Sequence, residues 1–119
     1  MNATVICYPK CTTCKKALAW LGSHNISYTY RDISVENPTK KELEAWYKQS
    51  GLALSRFFNT SGLVYKSEKV KEKLPALSED EKLTLLATNG MLVKRPIFVS
   101  EDTVLVGFRE EEWKAALLK

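Results

Sequence analysis

The stretch Tyr8-Pro9-Lys10-Cys11-Thr12-Thr13-Cys14-Lys15-Lys16 constrains this chain more than any other. It follows Thr4-Val5-Ile6-Cys7-Tyr8, a short apolar run rich in β-branched residues that reads as a strand. It opens a pattern in which Cys14, Ala17, Leu18 and Leu21 recur at i, i+3, i+4 and i+7, the apolar face of a helix. The C-x-x-C pair therefore sits at a strand-to-helix turn. The amides and the positive dipole end of a helix stabilise a thiolate placed there, and Lys10, Lys15 and Lys16 add positive charge. Two cysteines three residues apart at a helix start are close enough to join with little backbone movement. Cys11 reads as the exposed nucleophile and Cys14, on the apolar face, as its resolving partner.

Two other readings of the pair stand beside this one. A zinc site needs four ligands, and the chain offers only Cys7 and His24 besides, with Cys7 inside the strand. Two buried structural cysteines would also satisfy the pattern, since free Cys often acts as a small hydrophobe. The turn position and the flanking lysines favour the reactive reading. Cys7 reads as core packing, and His24 as a solvated residue near a helix end.

The chain's 119 residues suffice for one domain with a real core and no disulfide staples. No apolar run is long enough for a bilayer, and the N-terminus lacks a signal-peptide pattern, so the expected location is cytoplasmic. Thiols are kept reduced there, which makes a close Cys pair catalytic or redox-sensing rather than structural. Lysines alternate with glutamates, as in Lys66-Ser67-Glu68-Lys69-Val70-Lys71-Glu72-Lys73, and the net charge is only +4. This is the composition of a solvated helix face, so neither direct nucleic-acid binding nor membrane binding is expected.

Helix stop signals at Gly22-Ser23-His24-Asn25 end the first helix, and the alternating run from Ile26 to Ile33 predicts a second strand, completing a βαβ unit. Thr39-Lys40-Lys41-Glu42 is a capping box that opens a helix ending at Gly51. A short helical turn and then a loop at Asn59 to Gly62 follow. Helices are predicted from about Glu68 to Leu74 and from Glu79 to Asn89, separated by Pro75, the latter opened by a second capping box at Ser78 to Glu81. Strands Ile97-Phe98-Val99 and Val104-Leu105-Val106 flank a hairpin loop, and Arg109-Glu110-Glu111-Glu112 opens a last helix with Trp113, Ala116 and Leu117 on its apolar face. A βαβ half, a mostly helical insertion over about 38–90 and a ββα half make up a single α/β domain over 1–119. This is the order of a thioredoxin-like fold. In that fold a cis-proline faces the redox cysteines at the start of the third strand, the place held here by Pro96.

Cys11 and its motif, the helical insertion, Arg95-Pro96-Ile97 and the late Val106-Gly107-Phe108 together resemble the arsenate reductase family of the thioredoxin superfamily, in the branch that includes Spx-type redox regulators. The resemblance covers nearly the whole chain. It implies a thiol-disulfide oxidoreductase in which Cys11 attacks, Cys14 resolves and Arg95 holds an oxyanion such as arsenate or stabilises the thiolate. A later arginine of those enzymes falls near Arg109, and a third falls on Asn59, with Arg56 three residues earlier, a departure from the arsenate-binding pattern. Asn59, Arg109 and Pro96 are thus the substrate-side candidates. The resemblance implies no bound metal or organic cofactor, and a thiol reductant, thioredoxin or glutathione/glutaredoxin, as electron donor. The second cysteine where glutathione-dependent members have a serine permits an internal disulfide. The Spx-like alternative implies a redox-switch transcriptional regulator that binds the C-terminal domain of the RNA polymerase α subunit.

Overall fold

The computed structural model describes residues 2–118. Along the chain run β1 (Thr4–Cys7), α1 (Thr12–Ser23), β2 (Thr29–Asp32), α2 (Lys40–Ser50), α3 (Leu63–Ser67), α4 (Val70–Lys73), α5 (Glu79–Thr88), β3 (Ile97–Val99), β4 (Val104–Val106) and α6 (Glu110–Leu117), with 3₁₀ turns at Leu54–Phe57, Leu74–Ala76 and Gly90–Leu92. The chain divides into two compact units: one holds the residues up to Asp32 and from Arg95 onward, the other Ile33–Lys94.

The first unit is built on β1. Its β-branched residues suit a central strand, and it pairs in parallel with β2 and antiparallel with β3, which pairs antiparallel with β4, giving the order β2-β1-β3-β4. Ala3, Val5 and Cys7 alternate onto one face and meet Cys14, Ala17, Trp20 and Leu21 of α1, with Phe98 and Trp113 completing the cluster. Trp113 is fully buried. Its indole N–H donates to the Gly107 carbonyl at 2.9 Å, and its ring makes edge contacts with Phe108, Phe98 and Trp20. Gly107 itself has φ +75°, a backbone geometry that favours glycine. The Arg95–Pro96 bond is cis. This is the thioredoxin-like architecture expected, with βαβ and ββα halves.

The first helix ends within its expected stop signal, Gly22 to Asn25, and one boundary in this unit differs from the sequence expectation. Gly22 lies inside α1, and Asn25 takes the left-handed conformation at φ +57°. Asparagine tolerates that region, so the helix runs on to Ser23 before turning. The strand expected from Ile26 to Ile33 is shorter. Residues 25 and 26 are spent closing the helix, Asn25 donating to the Gly22 carbonyl and Ile26 to that of Leu21, and pairing with the sheet side begins where Thr29 N–H meets the Ala3 carbonyl at 2.8 Å. His24 is not simply solvated. Its Nδ1 lies 2.9 Å from the Trp20 carbonyl, and its ring sits tilted by 37° against the Trp20 ring with centroids 4.3 Å apart.

The second unit is mostly helical. Both capping boxes form: Thr39 and Glu42 exchange bonds at the start of α2, Ser78 and Glu81 at the start of α5. Gly51 ends α2 at φ +69°. Lys40 pairs with Asp80 at 2.7 Å and the Tyr47 hydroxyl donates to Glu79 at 2.9 Å, tying α2 to α5. Gly90 is required by close approach, because a Cβ there would meet the Asn37 Oδ1 and the Ile33 carbonyl at 2.6 Å each. The helix expected from Glu68 to Leu74 is the shorter α4, and an unexpected short helix, α3, precedes it across a break at Lys69, which has φ +51°. Tyr65 and Val70 are both buried, yet residues five apart lie about 140° apart around a continuous helix. The break at Lys69 lets both side chains be buried. Among the described residues no helix is long and apolar enough to cross a membrane.

Candidate active site

Tyr8 ends the descent of the chain from β1, and its carbonyl accepts the Cys11 N–H at 3.0 Å. That turn sets Cys11 in an extended conformation (φ −90°, ψ 118°) as the N-cap of α1. Its Sγ accepts the Cys14 backbone N–H at 3.4 Å, and its carbonyl accepts the Lys15 N–H at 3.1 Å. A sulfur in the N-cap role thus takes one of the orphan amide donors of the first helical turn, where negative charge is favoured. The charge around it is arranged the same way. α2, α5 and α6 each carry glutamates or aspartates in their first turn, whereas α1 carries none. No carboxylate of its own helix lies in the turn beside the Cys11 sulfur, and Lys10, Lys15 and Lys16 are exposed along that stretch of chain.

Cys11 is half-buried and Cys14 is 1% exposed. All three cysteines are free thiols. The Cys14 thiol is pushed strongly up from its ordinary range, first by a hydrogen bond with the Cys7 thiol and then by burial. Cys14 therefore rests as the neutral thiol, while the accessible sulfur is the one at the helix N-terminus. Of the two, Cys11 is the more accessible, and Cys14 lies three residues along the same helix.

Arg95 precedes the cis-proline Pro96. Its guanidinium carbon lies 5.2 Å from the centroid of the Tyr8 ring, so this cation is held on the loop that leads into Cys11. Pro96 is buried and its carbonyl accepts the Gly107 N–H at 2.8 Å, fixing the start of β3 against the end of β4. Arg109 caps α6 with its backbone. Its exposed side chain reaches Glu112 at 3.6 Å. Asn59 lies in the Ile33–Lys94 unit and organises a turn there. Its backbone N–H donates to the Leu92 carbonyl at 2.8 Å, its Nδ2 reaches the Met91 carbonyl at 3.4 Å, and its Oδ1 accepts from the Ser61 hydroxyl. A shallow groove lined by Asn2, Ala3, Thr4, Ser27, Tyr28 and Thr29 lies by the first residue of β1, the opposite end of that strand from Cys7.

Two participants escaped the sequence reading. Cys7, core packing on the sequence pattern, is buried there but is also the first cause of the raised Cys14 thiol. The signal for this was available: Val5 and Cys7 share a face of β1, and Cys14 shares the apolar face of the helix that must cover it. Tyr8 is the second, the ring on which Arg95 rests. No local pattern announces that contact, because it joins residues 87 positions apart in the chain.

The model of the ArsC family matches residues 7–116. The uncharacterized protein YusI of Bacillus subtilis is 47% identical over 96% of this chain and 97% of its own length. The global transcriptional regulator Spx of Staphylococcus saprophyticus is 32% identical, over 92% of this chain and 82% of its own. Among solved structures, a possible arsenate reductase from Streptococcus mutans superposes with a TM-score of 0.85 at 41% identity, covering 94% of this chain and 97% of that one.

Proposed function

Since this chain belongs to the ArsC family, we propose that it is a cytoplasmic thiol-disulfide oxidoreductase in which Cys11 is the nucleophile and Cys14 the resolving thiol. The observation that carries the reading is the Cys11 Sγ seated at the N-terminus of α1, accepting the Cys14 amide, with the protonated Cys14 thiol behind it. Arsenate is the leading candidate substrate. Cys11 would attack arsenic with loss of water, and Cys14 would then attack the Cys11 sulfur and release arsenite. The two electrons that reduce As(V) to As(III) come from the two thiols, which end as a disulfide. Thioredoxin or the glutathione/glutaredoxin system would return the pair to thiols. Arg95 is the cation best supported for holding the oxyanion, since it rests on the loop that carries Cys11. Arg109 is a secondary candidate, and Pro96 would shape the substrate side of the site.

Arsenate-dependent NADPH oxidation, coupled in parallel to thioredoxin with its reductase and to glutathione with glutaredoxin, tests the reading. Turnover with either donor that is lost in Cys11→Ser is the expected result. Absence of turnover with both donors, or its survival in Cys11→Ser, contradicts the proposed chemistry.

The similarity to Spx over most of both chains favours one second reading. Here the same pair would act as a redox switch on a protein partner, with the RNA polymerase α subunit the first to test. Affinity that changes with the state of the Cys11–Cys14 pair, without turnover, would support it. Affinity unaltered by Cys11→Ala with Cys14→Ala would exclude it.

A further inference from the structure

Cys7 is a buried nucleophilic side chain that the dithiol mechanism leaves unused. It is the last residue of β1 and is 0% exposed, against 1% for Cys14. Both belong to one core cluster, with Cys11 packed against its edge. Cys14 shares that cluster with Cys7 and donates its backbone N–H to the Cys11 sulfur at 3.4 Å, and the Cys7 thiol is the neighbour that acts most on the Cys14 thiol. An alanine or valine would fill the end of β1 as well as Cys7 does if packing were the whole requirement. What the cysteine adds is a second sulfur in the buried cluster that holds Cys14.

We propose that Cys7 is a second resolving thiol, which accepts the disulfide from Cys11 and stores it inside the core as a Cys7–Cys14 bond. The inference rests on the proposed dithiol function, because it begins from the Cys11–Cys14 disulfide. In the step, the Cys7 sulfur attacks the Cys14 sulfur. The Cys7–Cys14 bond forms, the Cys11–Cys14 bond breaks, and Cys11 leaves with the electron pair. The proton that Cys7 gives up is taken by the Cys11 sulfur, so the oxidised protein is only isomerised and no further oxidant or reductant is consumed. Cys11 departs to the N-cap position, where an amide donor receives it. Two consequences follow. The oxidising equivalent becomes shielded from a protein reductant, because both of its sulfurs are buried. Cys11 is meanwhile returned to the surface as a thiol.

The sequence makes this step readable. Lys10 separates Cys7 from Cys11, and Lys15 closes the peptide after Cys14. After trypsin, a Cys11–Cys14 disulfide lies within one peptide, whereas a Cys7–Cys14 disulfide joins two. The reduced wild-type protein would be oxidised with diamide, quenched in acid at successive times, labelled with N-ethylmaleimide in denaturant and mapped by mass spectrometry. The closed 11–15 peptide is expected first. It should then decline as a cross-link between the 1–10 and 11–15 peptides grows, with the maleimide on Cys11. In Cys11→Ser the cross-link should be lost or form much more slowly. A disulfide that stays within the 11–15 peptide, with the label on Cys7, overturns the inference and leaves the dithiol function standing. A cross-link labelled on Cys14, or one that forms at the wild-type rate in Cys11→Ser, also overturns it. No disulfide of either kind overturns the dithiol function together with the inference.

Discussion

Arg95 lies over the ring of Tyr8, its guanidinium carbon 5.2 Å from the ring centroid. The residue before the cis-proline is thereby attached to the loop that ends in Cys11, whose amide is bonded to the Tyr8 carbonyl. Removing the ring should release the cation without touching either sulfur. A contact of this kind contributes ~1 kcal/mol at a half-buried position, which corresponds to a KM for the proposed oxyanion substrate raised about five-fold in Tyr8→Leu. Tyr8→Phe keeps the ring face and should stay near the wild-type value. Steady-state kinetics on the pair checks this, and equal effects of Phe and Leu would show that the ring is not what holds Arg95.

Cys14 gives the reduced protein a pH dependence of known sign. Its folded-state pKa lies above the ordinary thiol value near 9.0, so above that pH the folded chain keeps a proton that the unfolded chain releases. Stability from this group is fully present below about pH 9 and declines as pH rises further, by at most ~1.4 kcal/mol per pH unit. Tyr30 and Tyr47 are also raised and act in the same direction at higher pH, Tyr30 through burial and Tyr47 through its bond to Glu79. The difference between wild type and Cys14→Ala therefore isolates the cysteine. Urea midpoints at pH 8 and pH 10 under reducing conditions should fall more steeply for wild type.

Trp113 closes the core under the cysteines. Trp113→Ala would empty the centre of the aromatic cluster and strip the Gly107 carbonyl of its donor, at an expected cost of ~3–5 kcal/mol. Trp113→Phe keeps most of the ring and loses the N–H, which should cost about 1–3 kcal/mol. Chemical denaturation of the two variants orders them, and an Ala variant no weaker than the Phe one would contradict this packing.

Gly90→Ala should destabilise the Ile33–Lys94 unit although the change is a single methyl group. The new Cβ would meet the backbone carbonyl of Ile33 and the Asn37 side-chain oxygen, and a backbone neighbour has little room to give. An overpacking cost of ~1–3 kcal/mol is expected. Thr39→Ala, by contrast, removes only a cap and should cost ~1 kcal/mol. Thermal melts of both variants test the ranking.

The features legible in the sequence are those whose physics is local. Thr39 with Glu42 and Ser78 with Glu81 announce their helix starts because both halves of the box lie within four residues. The C-x-x-C announced its turn in the same way, and Pro96, placed by the order of elements, is found in a cis bond. What could not be read depends on partners distant in the chain. The break at Lys69 is set by the burial of Tyr65 and Val70 together. The shortened β2 is set by where Thr29 can reach Ala3, and the seat of Arg95 by Tyr8. Cys7 fell between the two cases, since period and position pointed to its contact with Cys14 but composition favoured plain packing.

The central claim is a division of labour between two sulfurs, Cys11 open at the helix N-terminus and Cys14 held as a buried thiol. Alkylating the reduced protein at neutral pH with limiting iodoacetamide, then mapping the first adduct, measures it directly. Cys11 should be modified faster than Cys14 by on the order of ten-fold or more, with Cys7 untouched until the protein unfolds. Equal labelling of Cys11 and Cys14, or a first adduct on Cys14, would contradict the account at its root.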